Sequence, residues 1–248
     1  MTKSNRCTNK RLILCSRGLK PGHLTVETME VLKACDVLFS GCIDAQSSGF
    51  FSSLCPRVRI KMVKGGPEEI SEKVIEEISR DESCRTAVFM SYGNTRFLCG
   101  PVFQLEKKAK KAGIELFVMD GVSSVDSIVN MMNLNKFATD GLRLVDIDAC
   151  LKCRKEIVIT PGMDTCFFMF WRLLLEENKV RLEKFLRDVR KNYLPHALGY
   201  FLNCPSLCAE KGRIIKFRIA DLPDNVHRSD KESTLFIPAQ KNVLRKSA

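Results

Sequence analysis

The chain has 248 residues, 45% hydrophobic and 28% charged, the composition of an ordinary soluble globular protein of one or two domains. It has no run of ~18 or more apolar residues, which excludes a membrane-spanning helix, and its polar, basic start lacks the apolar stretch of a secretory signal, so a cytoplasmic protein is expected. The net charge of +11 favours anionic partners in general, but the cations are dispersed over residues 107–111, 181–191, 211–218 and 241–246, and no aromatic-interleaved basic motif marks a nucleic-acid binder.

After a basic tail, residues 1–10, the first half alternates strands and helices. Arg11–Ser16 (RLILCS) reads as a strand, and Thr25 as the cap of a helix reaching about residue 36 with Val26, Met29 and Leu32 on one face. Val37–Ser40 and residues 58–63 read as strands two and three. Pro67 then opens a helix with Glu68 and Glu69 at its positive end and a stripe of Ile70, Val74, Ile75 and Ile78. Thr86–Ser91 (TAVFMS) is a near-continuous apolar strand, as expected where both faces are covered. Residues 101–112 form a helix closed by Gly113, and 114–119 another buried strand. This alternation predicts an α/β domain, residues 11–120, with a mostly parallel sheet and helices on both faces.

The second half, residues 121–248, reads differently. Residues 123–134 and 179–193 are helical, and 156–160, 197–202, 213–220 and 233–237 look like strands. Three of these strands follow one another with only loops between them, which predicts a mixed, largely antiparallel α+β domain.

Twelve cysteines are many for this length, and most sit in apolar segments, as free buried thiols do in a reducing compartment. Cys150 with Cys153, and Cys204 with Cys208, would offer four thiolates to zinc. However, Cys153 runs straight into residues 156–160 and the usual knuckle glycines are missing, so packed or surface thiols are the reading and no metal is expected.

Ligands of parallel sheets sit outside the carboxyl ends of the strands. Three loops there carry unusual residues. The first, Gly18-Leu-Lys-Pro21-Gly22-His-Leu-Thr25, has the glycines and proline of a tight turn that lets backbone approach a ligand. The second, residues 91–101, follows the most hydrophobic strand. The third, Gly121-Val122-Ser123-Ser124, has hydroxyls that can cap a helix or bond a polar ligand. A glycine after a strand is usually just a turn; the order and spacing of the three loops say more.

In that order and spacing the chain resembles the tetrapyrrole methylase superfamily of S-adenosylmethionine-dependent methyltransferases. Leu12 to Thr25 matches the opening strand, glycine–proline loop and leucine–threonine helix start. Gly93-Asn94-Thr95 stands in place of the Gly-Asp-Pro-type loop, and residues 120–124 in place of the Pro-Gly-Val-Ser-Ser-type loop. His196-Ala-Leu-Gly-Tyr200 and Ser233-Thr-Leu-Phe-Ile-Pro238 look like the end of the borosin-type branch, whose members methylate peptide backbone amides. The chain departs from the pattern at Ser16 and Arg17, at Asn94 and Thr95, at Asp120, and in residues 61–66, which lack the branch's tyrosines and arginine; Lys61 or Lys64 would have to substitute electrostatically.

The resemblance, which spans about residues 11–239, implies the two-domain fold with S-adenosylmethionine held in a cleft between the domains, a peptide or small-molecule methyl acceptor such as a tetrapyrrole, and a homodimer. It places the cofactor on Tyr92, Gly93, Asn94, Phe97, Leu98, Ser123 and Ser124, with Met163 and Phe201 on the adenine side. Carbonyls near Tyr92 to Asn94 would face the sulfonium, the two serines would bond the amino-acid part, and Phe97 and Leu98 would wall the site. No general base is assigned: His196, at a strand start, and Asp164 are equally open. A methylase-fold binding protein without catalysis is the reading from another class.

Overall fold

The computed structural model describes residues 10–134, 141–206 and 211–240. The chain divides into two compact units, Met1–Asp126 and Ser127–Ala248. No described helix is long and apolar enough to cross a membrane.

Unit 1 is built from the strands β1 (Arg11–Ser16), β2 (Val37–Ser40), β3 (Arg59–Met62), β4 (Thr86–Ser91) and β5 (Glu115–Val118), with the helices α1 (Val26–Ala34), α2 (Ala45–Leu54), α3 (Pro67–Arg80) and α4 (Gly100–Ala112). The strands form one sheet in the order β3-β2-β4-β1-β5, every neighbour parallel. Alternate side chains of each strand point to opposite faces. Leu12, Leu14, Phe39 and Phe89 therefore pack with Val74 and Ile78 of α3 and Val102 and Leu105 of α4. Cys15, Leu38, Val88 and Met90 pack on the other face with Leu32 of α1 and Phe51 of α2.

Local chemistry sets the helix ends. The Thr25 hydroxyl accepts the Thr28 N–H and starts α1. Pro67 stands in the first turn of α3, and α4 closes on Gly113 at φ +68°, a left-handed cap. Sequence periodicity misses α2, a serine-rich segment with Gly49. Its start is fixed by a capping box in which the Asp44 carboxylate accepts the Ser47 N–H and the Ser47 hydroxyl accepts the Asp44 N–H. Two expectations are corrected. Val26 is 71% exposed, so the buried face of α1 is Thr28 and Leu32. β5 is an edge strand and only partly covered, with Phe117 exposed.

α5 (Ser124–Met131) begins just before the division. Unit 2 then holds β6 (Leu142–Asp146), α6 (Ile147–Lys152), β7 (Asp164–Phe168), α7 (Lys179–Asn192), β8 (Leu198–Asn203), β9 (Arg213–Arg218), α8 (Leu222–Asn225) and β10 (Thr234–Ile237). The sheet order is β6-β7-β10-β8-β9; β6 and β7 are parallel and the remaining pairs antiparallel. Its core joins Phe167, Phe201, Phe217 and Leu235 to Phe185 and Val189 of α7.

Residues 156–160 are not a strand. Ile157 and Ile159 pack on the core, which produces the apolar alternation, but among the described residues no strand pairs with them. The Arg143 guanidinium donates instead to the Val158 carbonyl, and to the Thr160 hydroxyl at 2.8 Å, so side-chain bonds replace a ladder. The strands in this region are β6 and β7, on either side of the expected one.

Candidate functional site

β1 and β4 lie side by side, yet the chain leaves them in opposite directions. β1 passes through α1 to β2 on one side of the pair, and β4 passes through α4 to β5 on the other. Diverging connections open a crevice at the carboxyl ends of such strands. The first and second loops identified from sequence start there, and the third starts next to them, at the end of β5.

The three loops are tied together by short bonds. The Ser16 hydroxyl donates to the Gly93 carbonyl at 2.6 Å and accepts the Gly18 N–H at 2.8 Å. The Gly93 N–H donates to the Gly18 carbonyl at 3.1 Å, an isolated bridge between the first two loops. The Asn94 amide donates to the Gly121 carbonyl at 3.1 Å, while its oxygen accepts the Arg96 N–H at 2.8 Å. The end of β1 and loop three are in direct contact: a Cβ on Gly121 would lie 2.1 Å from the Ser16 Cβ, so only glycine permits this approach.

Loop two is shaped by two left-handed residues, Gly93 at φ +66° and Leu98 at φ +56°. The latter costs about 1 kcal/mol or more in a residue with a Cβ, a strain that recurs at binding loops. Gly93 is itself buried, but no atom of the described residues lies within 4 Å of where its Cβ would be, so a ligand atom has room against this backbone. Thr95 is 1% exposed and its hydroxyl has no partner among the described residues. An unmet buried hydroxyl costs about 1–3 kcal/mol unless a ligand or solvent satisfies it.

Arg17, which sequence reading treats only as a departure, is a buried cation beside this shelf. Its guanidinium donates to the Cys42 carbonyl and lies 3.3 Å from the Asp44 carboxylate. The Tyr92 ring packs against it, 5.2 Å from centroid to guanidinium carbon. The Asp44 carboxyl is held below the usual range by hydrogen bonds from Ser47, with Arg17 adding to the effect. Burial and then the Lys20 charge lower His23, whose Nδ1 accepts the Leu19 N–H.

Five expected cofactor residues, Tyr92, Gly93, Asn94, Phe97 and Leu98, share loop two. Tyr92 and Leu98 are exposed and Phe97 half-buried, so none is a core side chain. The Gly93 carbonyl accepts from Ser16 and the Asn94 carbonyl from the Phe97 N–H, so each already holds one hydrogen bond within unit 1. Of the two readings of Ser123, the structure shows the helix cap. Its hydroxyl donates to Asp126 at 2.8 Å and accepts the Val125 N–H at 3.2 Å, and Asp126 also accepts the Ser123 N–H, so this serine starts α5. Ser124 follows it, half-buried.

In unit 2, Met163 is half-buried, its N–H donating to the Thr160 carbonyl. Phe201 is a correction: it is fully buried against Phe170 and Phe217, so its ring has no face left for a ligand. Asp164 accepts the Ala239 N–H at 2.8 Å and His196 is exposed. Sequence reading missed Gln240, whose amide nitrogen and oxygen are both buried without a partner among the described residues, in a groove of about 420 Å³ shared with His196 and Tyr200. Cys150 lies on α6 and Cys153 caps it, while Cys208 is outside the described residues; among those described, no group of three His, Cys, Asp or Glu is placed to hold a metal.

No protein-family model matches the chain, and no curated protein matches it in sequence. Solved structures do match in shape. Uroporphyrin-III C-methyltransferase from Thermus thermophilus aligns over 93% of this chain and 92% of its own, with a TM-score of 0.67 and 16% identity. The methyltransferase CobJ aligns over 93% and 94%, with a TM-score of 0.68 and 12% identity. The cobalt precorrin-4 methyltransferase CbiF aligns over 96% and 98%, with a TM-score of 0.67 and 14% identity. The chain has the tetrapyrrole-methylase fold. The Thermus enzyme is also known in complex with S-adenosylhomocysteine, in a structure that aligns over 92% of this chain and 97% of its own, with a TM-score of 0.66 and 15% identity.

Proposed function

We propose that the chain is an S-adenosylmethionine-dependent methyltransferase whose unit 1 shelf receives the methyl donor. The observation that carries this reading is loop two: a glycine with open space over it and a buried, unpartnered Thr95 hydroxyl, at the switch point of a fold whose solved members include a complex with S-adenosylhomocysteine. The residues fit the group. Gly93 admits it against backbone, Thr95 offers a hydroxyl, and Tyr92, Phe97 and Leu98 supply apolar and aromatic surface around it.

When bound, the cofactor supplies an activated methyl carbon, so the protein has to position two partners and exclude water. The stitched loops provide a rigid backbone for this. Leu98 and Phe97 limit solvent access, and Ser16 and Asn94 keep loop two in register with its neighbours.

For the acceptor, a tetrapyrrole or another small molecule is favoured over a peptide amide. The named relatives are tetrapyrrole-type methyltransferases, and the comparisons give the peptide branch no support. Within the chain, Lys61 is ion-paired with Glu77 of α3, so it is not a free cation for a developing amide anion.

Calorimetry with S-adenosylmethionine and S-adenosylhomocysteine tests the cofactor. Saturable heat with both is expected, weakened about tenfold or more in Gly93→Ala, where a Cβ enters the open space at a left-handed φ. Absence of heat with either ligand overturns the site. Mass gain of one methylene on a co-incubated tetrapyrrole, set against the same assay with a peptide, then separates the acceptors.

A further inference from the structure

The two sides of α7 treat their charges differently. On one side Lys184 is neutralised by Glu156 at 2.7 Å and Asp188 at 2.6 Å. On the other, Glu183, Leu186, Arg187, Arg190 and Lys191 recur at the three- and four-residue spacing of one helix face. Arg187, Arg190 and Lys191 are exposed and form no ion pair among the described residues, not even Arg187 with Glu183 one turn earlier.

This face borders a groove of about 540 Å³ in unit 2. Leu186, Pro195, Ala220 and Pro223 give it an apolar floor, with Ile219 beneath it. The floor is preformed: the Ile219 N–H donates to the Ala197 carbonyl at 2.8 Å, the Ala220 N–H to the Pro195 carbonyl at 3.0 Å, and Ile219 is fully buried in the core. Three cations and one carboxylate thus rim a rigid apolar trough.

We propose that this groove is a docking site for an acidic peptide segment, with an apolar side chain in the trough and flanking carboxylates on Arg187, Arg190 and Lys191. Charge complementarity selects an acidic partner, and an apolar floor beneath the cations strengthens each pairing by lowering the local dielectric. Arg187 and Lys191 are one helical turn apart, about 6 Å along the axis, which is the spacing of alternate residues in an extended strand. Nucleic acid fits less well, because among the described residues no aromatic side chain lines the groove to stack a base. The inference does not depend on the cofactor reading.

The test is fluorescence polarisation on the full chain with a labelled peptide carrying one leucine between two runs of three glutamates. Saturable binding is expected, weakened at least tenfold in the Arg187→Glu/Arg190→Glu variant. The Arg57→Glu/Lys107→Glu variant, with the same change in net charge on unit 1, should bind within twofold of wild type. Replacing the peptide's leucine by serine should weaken binding severalfold. Both double variants alter exposed side chains, and a thermal melt confirms that they fold. Absence of saturable binding, equal loss in the two variants, or equal competition by an oligothymidylate of matched charge overturns the proposal.

Discussion

The Ser16 hydroxyl donates to the Gly93 carbonyl at 2.6 Å and accepts the Gly18 N–H at 2.8 Å, so one side chain fixes the ends of β1 and β4 to each other. Ser16 is 2% exposed, and water does not readily replace it. Ser16→Ala leaves a buried carbonyl and a buried N–H unmet, for an expected loss of about 1–3 kcal/mol of stability. Cofactor affinity should fall with it. Denaturant unfolding and calorimetry check both; unchanged values would show that loop two holds its shape without the stitch.

Asn94 makes a donor-specific contact, its amide to the Gly121 carbonyl. Asn94→Ala removes the bond, for about 1 kcal/mol. Asn94→Asp sets a carboxylate against that carbonyl and should cost more at pH 7, even though the oxygen that accepts the Arg96 N–H is kept. The difference between the two variants should narrow near pH 4, where the carboxyl gains a proton and donates again. Thermal melts at the two pH values settle the order.

Asp230 ties β8, β9 and the start of β10. Burial by itself would raise its pKa, but hydrogen bonds from Ser233, Asn203 and the Glu232 N–H, with the Arg213 charge, hold it below the usual range. A carboxyl depressed in the folded state stabilises above its unfolded pKa, about 3.9, and this contribution is lost as pH falls through the lower folded value. Asp230→Asn should therefore melt below wild type at pH 7, and the gap should shrink below about pH 4. A gap independent of pH would assign the effect to hydrogen-bond geometry alone.

The described cysteines should differ sharply in reactivity. Burial pushes the Cys35, Cys166 and Cys204 thiols up to about 12, and Cys15 higher still, whereas Cys153 is exposed at the cap of α6. A rise from 9 to about 12 cuts the thiolate fraction at pH 8 by about a thousandfold. In maleimide labelling read by peptide mapping, Cys153 should modify first and Cys15, Cys35 and Cys166 only on unfolding. Fast labelling of Cys35 in the folded protein would contradict its place behind the sheet.

The strand–helix alternation of unit 1 was legible because buried parallel strands such as Thr86–Ser91 are nearly all apolar, and because Thr25, Pro67 and Gly113 mark helix ends by their own chemistry. α2 escaped, since its start depends on one capping box and its serines carry no periodic apolar signal. Residues 156–160 misled for the opposite reason: their alternation reports packing of Ile157 and Ile159, while Arg143 replaces the missing strand partner. Residue type and spacing placed Gly93 and Asn94 in a turn at the end of β4, because glycine and asparagine tolerate turns that other residues do not. Only the tertiary structure decided that Ser16 stitches that loop, that Ser123 belongs to a helix cap, that Phe201 is core, and that Arg17 is a buried cation under Tyr92. Those roles depend on partners distant in the chain, such as Gly93, Phe217 and Asp44, and a one-dimensional pattern carries no record of which side chains folding brings within bonding distance.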